Sequence, residues 1–168
     1  KISAATLTET HTIPRLAIPI DLAPNELATL RLVPGVIEDA DLPGQAPALQ
    51  GDVLDNGLLR IHLGAQGIQR MVFADGDRAH EILAAPLLFQ MQKDGSNAWS
   101  MGIDRYSGEV LAIAAFGAPV VLESGPVLVR VALPGELGGQ RAVLLATLCR
   151  GESVLHLELK VNYAEPLS

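Results

Sequence analysis

The loop between Lys93 and Ser107 gathers the residue types best suited to holding a sugar. Trp99 and Tyr106 bring flat apolar faces, and Asp94, Asn97, Asp104 and Arg105 set planar hydrogen-bonding groups close beside them. A sugar ring has an apolar C–H face and a rim of hydroxyls, so ring stacking combined with charge-assisted hydrogen bonds is the chemistry these side chains can perform. Trp99 has a second reading, as a plug closing one end of a β-sandwich, because tryptophan usually buries most of its area. The sequence leaves both open.

No other stretch has the spacing of reaction machinery. His11, His62, His80 and His156 stand far apart, without a His-x-Asp or His-x-x-x-His pair, and His80-Glu81 meets Ala84 where a zincin needs its second histidine. No metal or cofactor is therefore expected from this chain. Glu38, Asp39 and Asp41 lack the Asp-x-Asp-x-Asp-Gly order of a calcium loop. Ser124, in Glu-Ser-Gly-Pro-Val, lacks the nucleophile elbow, and Gly138-Gly139 precedes a strand and not a helix, so it is no phosphate loop. Cys149 has no histidine nearby in sequence and reads as a small buried hydrophobe. Paired carboxylates for glycosidic cleavage meet through the fold, so spacing leaves them open. Asp55, Asp75, Asp77 and Asp94, however, sit in turns, where Asx hydrogen bonding accounts for them.

Composition narrows the class. A formal charge of -7 and a pI near 5.0, with 12 scattered Lys and Arg, argue against a nucleic-acid partner. The single cysteine forms no internal disulfide. The uncharged run from Val110 to Leu122 holds Gly117 and Pro119 and is too short to cross a bilayer, so no membrane partner is expected. No targeting signal is visible from Lys1, which favours a cytoplasmic piece of a longer protein. With 168 residues the chain can bury roughly 70% of its unfolded surface. A hydrophobic share of 49% with only 18% charged residues and a mean hydropathy of +0.30 implies that some apolar surface meets a partner.

The elements that must position the loop are strands. From Leu155 to Tyr163 apolar and polar residues alternate, and Arg150-Gly151-Glu152-Ser153 is turn chemistry. Folding there sets Leu148 opposite Leu155, Ala146 opposite Leu157 and Leu144 opposite Leu159 on one face, and a one-residue slip would turn those leucines to water. Asn56-Gly57, Asp75-Gly76 and the Gly64/Gly67 corner bound strands at Leu58–Leu63 and Ile68–Ala74. Further runs, LLFQMQ, VLAIAAF and VVLESGPVLVRVALPGE, are strand-like, the last broken by Ser124-Gly125-Pro126 and closed by Leu133-Pro134-Gly135 and Gly138-Gly139. Residues 1–34 read as a small β unit with a turn at Ala23-Pro24-Asn25-Glu26, residues 35–50 as a Pro/Gly-rich linker, and 51–168 as a sandwich domain. The expected fold is all-β and antiparallel.

The order of these pieces resembles the β-rich region that follows the catalytic and helical domains in α-mannosidases of glycoside hydrolase family 38. The residues that carry it are Asn56, Gly57, Leu59, Arg60 and Ile61; Gly67, Ile68 and Met71; Ala98 and Trp99; Glu123, Gly125, Pro126, Val127 and Arg130; and Val161, Asn162, Tyr163 and Glu165. They span about residues 51–166. Tyr163 stands where the family usually has tryptophan, Asn162 where it has aspartate, and Ser100 where it has an acid after the tryptophan. The resemblance implies a galactose-mutarotase-like supersandwich fragment, cut short at its C-terminus, with an exposed sheet edge through which the piece would self-associate. Its parent would hydrolyse α-mannosides with retention, using zinc and an aspartate nucleophile in earlier domains, so no catalytic residue falls in this chain. Its partners would be those catalytic and helical domains and, through the Trp99 loop, a mannose-containing glycan. A stand-alone carbohydrate-binding module and a purely structural interaction domain are the alternatives.

Overall fold

The structure, a computed structural model, describes residues 17, 18, 20–31, 42–93 and 108–162. Its described elements are strands alone, and every pairing between them is antiparallel. The first sheet runs in sequence order through β1 (Ala48–Gln50), β2 (Val53–Asp55), β3 (Leu59–Gly64), β4 (Gly67–Asp75) and β5 (Arg78–Glu81). A short β6 (Leu87–Leu88) pairs the start of β4, which β5 leaves uncovered. β7 (Gln90–Gln92) and β8 (Val110–Ile113) form a separate ribbon. The second sheet comprises β10 (Val120–Ser124), β11 (Leu128–Leu137), β12 (Gln140–Cys149) and β13 (Leu155–Val161), with β9 (Ala115–Phe116) also paired to β11.

The two sheets face one another over one core, as a sandwich requires. Leu54, Leu59, Ile61, Leu63 and Ile68 from the first sheet share a cluster with Val129, Val131, Leu133, Leu144, Ala146 and Leu148 from the second. Alternation decides which side chains enter it: in β3, Leu59, Ile61 and Leu63 are buried while Arg60 is exposed. Each fully buried leucine contributes about 1.5–3 kcal/mol relative to exposure. Phe116 closes the core edge-on to Phe89, with ring centroids 6.0 Å apart at 85°. The outer side of the second sheet carries a smaller apolar cluster of Ala132, Val143 and Leu145 with Leu122.

The main hairpin has the register that its leucines dictate, with Leu148 opposite Leu155, Ala146 opposite Leu157 and Leu144 opposite Leu159. The Asn56-Gly57 and Asp75-Gly76 turns also lie where expected, with Gly57 at φ 85° and Gly76 at φ 58°. Other runs differ from the sequence reading. LLFQMQ is divided between β6 and β7, and VLAIAAF between β8 and β9, because each half pairs with a different strand. Leu133-Pro134-Gly135 does not end its strand: β11 continues to Leu137, and Pro134 lies opposite Val143. The carbonyl of Pro134 accepts from the Gly117 N–H at 2.7 Å, so its nitrogen also faces away from β12. There the ladder passes from β10, whose last partner is Ala132, to β9, which begins at Gly135, and a missing donor breaks no bond.

Residues 20–31 contain the turn expected at Ala23–Glu26, closed by the Glu26 N–H on the Ala23 carbonyl at 3.0 Å, but no strand. Every described residue from Ala17 to Arg31 is exposed. Within 35–50, by contrast, the last three residues form β1, and Arg150 fixes the ones before them. Its Nε donates to the Pro43 carbonyl at 3.0 Å and its Nη2 to those of Leu42 and Gly44 at 2.7 and 2.6 Å. Charge-assisted bonds of this kind hold residues 42–44 against the β12–β13 turn.

Candidate functional site

The chemistry-bearing side chains that the fold brings together lie at that same turn. β12 and β13 pair up to Leu148 and Leu155, whose side chains enter the core. Period two then places Cys149 and His156, each next to a core residue, on the opposite face. Glu152 stands in the connecting loop, and its Oε2 lies 3.4 Å from His156 Nε2. Among the described residues, Cys149, Glu152 and His156 form a group whose possible ligand atoms lie within 4.8 Å of one another.

Asn56 holds this loop from the core side. It is 1% exposed, and its Nδ2 donates to the carbonyls of Cys149 and Glu152 at 2.6 and 2.7 Å. Its Oδ1 accepts the N–H groups of Leu58 and Leu59 at 3.0 and 2.8 Å. One carboxamide therefore closes the β2–β3 turn and ties it to a loop more than ninety residues away in sequence.

Cys149 is partly exposed at a strand end, not the buried hydrophobe expected from sequence. Partial burial raises its thiol pKa, and the Glu152 carboxylate, by its charge and by a hydrogen bond, raises it further. A thiol so placed stays protonated near neutral pH and is a poor nucleophile. His156 is exposed and next to an acid, but it is paired with Glu152 and not with a serine hydroxyl. The group has the ligand types of a metal site.

A cleft of about 270 Å³ opens where the β3–β4 corner meets β9. Leu63, Ala65, Phe116, Pro119 and Leu133 line it, with the Asp52 carboxylate as its charged group. The backbone at its rim is already engaged, since the Phe116 N–H donates to the Ala65 carbonyl at 2.6 Å and the Leu63 N–H to that of Asp52 at 2.8 Å. A lone exposed carboxylate on apolar walls supplies no acid–base pair.

Several other described acids are held in structural pairs. Asp55 accepts the Gly57 N–H at 2.7 Å, as the turn reading requires, and pairs with Arg60. Glu81 takes a bidentate pair from Arg70, and Arg130 lies between Glu123 and Glu158 at 3.7 and 3.6 Å. The sugar-contact residues expected from sequence, Asp94, Asn97, Trp99, Asp104, Arg105 and Tyr106, lie outside the described residues. His62 and His80, which are described, are not members of the turn group. The turn group carries no short sequence signature, because Cys149 and His156 lie on either side of the hairpin loop and meet through the β12–β13 pairing.

No family model matches the chain, and no curated protein matches it. Among the described residues no helix is long and apolar enough to cross a membrane.

Proposed function

We propose that this chain is a non-catalytic β-sandwich that supports the catalytic region of a larger glycosidase, similar to a family 38 α-mannosidase. One observation carries this reading: the described motif residues behind the resemblance sit in structural roles. Asn56 joins the two sheets, Gly57 and Gly67 take positive φ of 85° and 131° at corners, Arg60 pairs with Asp55, and Arg130 pairs across strands. A motif conferring architecture and not reactivity suits an accessory domain. The exposed apolar side chains of β6 and β8, Leu87, Leu88, Val110, Leu111 and Ile113, suit contact with the catalytic and helical domains of a parent chain. The zinc and the nucleophile of the parent reaction would belong to those domains, and the Trp99 loop would wall one side of the sugar cleft.

Three measurements test the reading. The first is hydrolysis of an aryl α-mannoside by the chain with zinc added; no turnover is expected, and turnover lost with a residue of this chain would overturn the non-catalytic assignment. The second is the reading frame that encodes the chain. Upstream His and Asp ligands of a zinc-dependent mannosidase are expected, and an upstream region of unrelated chemistry would refute the α-mannosidase parentage. Binding of methyl α-mannoside that is lost in Trp99→Ala would place the loop on the sugar.

A further inference from the structure

We propose that the β12–β13 turn is a binding site for a borderline divalent cation of the zinc class, held by Cys149 Sγ, Glu152 carboxylate and His156 Nε2. The proposal stands apart from the mannosidase reading and rests on three features. The first is the ligand set itself. A thiolate, a carboxylate and an imidazole are the donor types that zinc selects, and thiolate with carboxylate together neutralise the dication. The second is convergence. Cys149 and His156 come from different strands and share a face because the leucine register fixes the pairing, while the loop brings Glu152 to 3.4 Å from His156. All three donor atoms already lie within 4.8 Å of one another, and metal–ligand bonds of about 2.0–2.3 Å in a tetrahedron need about 3.5 Å between donors. The exposed side chains of Glu152 and His156 can close that difference by rotation.

The third feature is support from outside the group. Asn56, buried and fully engaged, grips the carbonyls of Cys149 and Glu152, so the backbone of two ligands is fixed before any ion arrives. On binding, the Cys149 S–H bond breaks, its proton passes to solvent, and a sulfur–metal bond forms; His156 binds through the lone pair of neutral Nε2. Three protein donors leave a fourth tetrahedral position for water.

Cobalt(II) titration of the full chain tests the site, because a thiolate ligand gives a near-ultraviolet charge-transfer band. One equivalent of cobalt should bind with that band, Cys149→Ser should abolish it, and zinc should displace it. Glu152→Gln and His156→Ala, both at exposed positions that leave the core intact, should each weaken binding about tenfold or more, measured by competition with a chromophoric chelator. Absence of the band at saturating cobalt overturns the proposal. So does a band whose affinity is unchanged in either Glu152→Gln or His156→Ala, since that would mark a lone thiol meeting metal without a built site.

Discussion

The Asn56 carboxamide meets four backbone groups, two on the β2–β3 turn and two on the β12–β13 loop. Alanine at this position would leave the Cys149 and Glu152 carbonyls without their donor, at about 1–3 kcal/mol for each unsatisfied group. We expect Asn56→Ala to destabilise the chain by about 2–4 kcal/mol, seen as a lower urea midpoint at unchanged slope. A loss below about 0.5 kcal/mol would mean that water replaces the amide. A second residue-scale prediction concerns pH. The hydrogen bond from Arg70 lowers the Glu81 pKa below the usual carboxylate range, with desolvation opposing it and the Arg70 charge assisting. A depressed folded pKa favours the folded state above the unfolded pKa, and that advantage is lost as pH falls through the folded value. Both side chains are exposed, so solvent screens the pair and little stability is at stake. Carboxyl NMR titration should find Glu81 protonating below the usual carboxylate range and moving up in Arg70→Gln.

At the scale of elements, Gly135 shows how closely β9 approaches β11. A Cβ there would collide with the Ala115 carbonyl and lie 2.8 Å from Phe116 Cα, both backbone atoms that cannot rotate away. Gly135→Ala should push β9 outward, costing about 1–3 kcal/mol as overpacked sites do. Hydrogen exchange should report the change at the Gly117 N–H, which now donates to Pro134. Gly125→Ala, where nothing lies within 4 Å of the added atom, is the neutral control. This junction was illegible in the sequence, where Pro134-Gly135 has the appearance of a stop. Strand propensity describes a residue against an average neighbour, while Pro134 is tolerated because two different strands share one edge of β11 and leave a gap at its nitrogen. The main hairpin was legible for the opposite reason: its period, its turn and its register are all local. The turn group falls between these cases. The alternation that exposes Cys149 and His156 on one face is readable, but the grip of Asn56 on their loop joins positions 93 and 96 residues apart.

At the scale of the whole molecule, the first sheet and its neighbouring ribbon leave more apolar side chain in water than a self-contained sandwich needs. Leu111 is 54% exposed, Val110 46% and Ile113 42%, with Leu87 and Leu88 close to 40% at 39% and 37%. At the far side of the second sheet, β13 has β12 as its neighbour and no further strand among the described residues. Apolar strands with open hydrogen-bonding groups associate unless something covers or charges them. Outward-pointing Glu158 and Lys160 charge one face of β13, whereas β8 carries no charged residue at all. Reversible self-association of the chain should therefore run through β8 more than through the β13 edge. Sedimentation velocity over a concentration series is expected to show a rising mean mass, and the double replacement Leu111→Lys with Ile113→Lys is expected to return it to the monomer value. Both positions are exposed, so these lysines reach solvent without entering the core. A wild-type chain that stays monomeric at every concentration would count against the surplus apolar surface as a contact region, and with it against the idea that this sandwich is built to lean on a neighbouring domain.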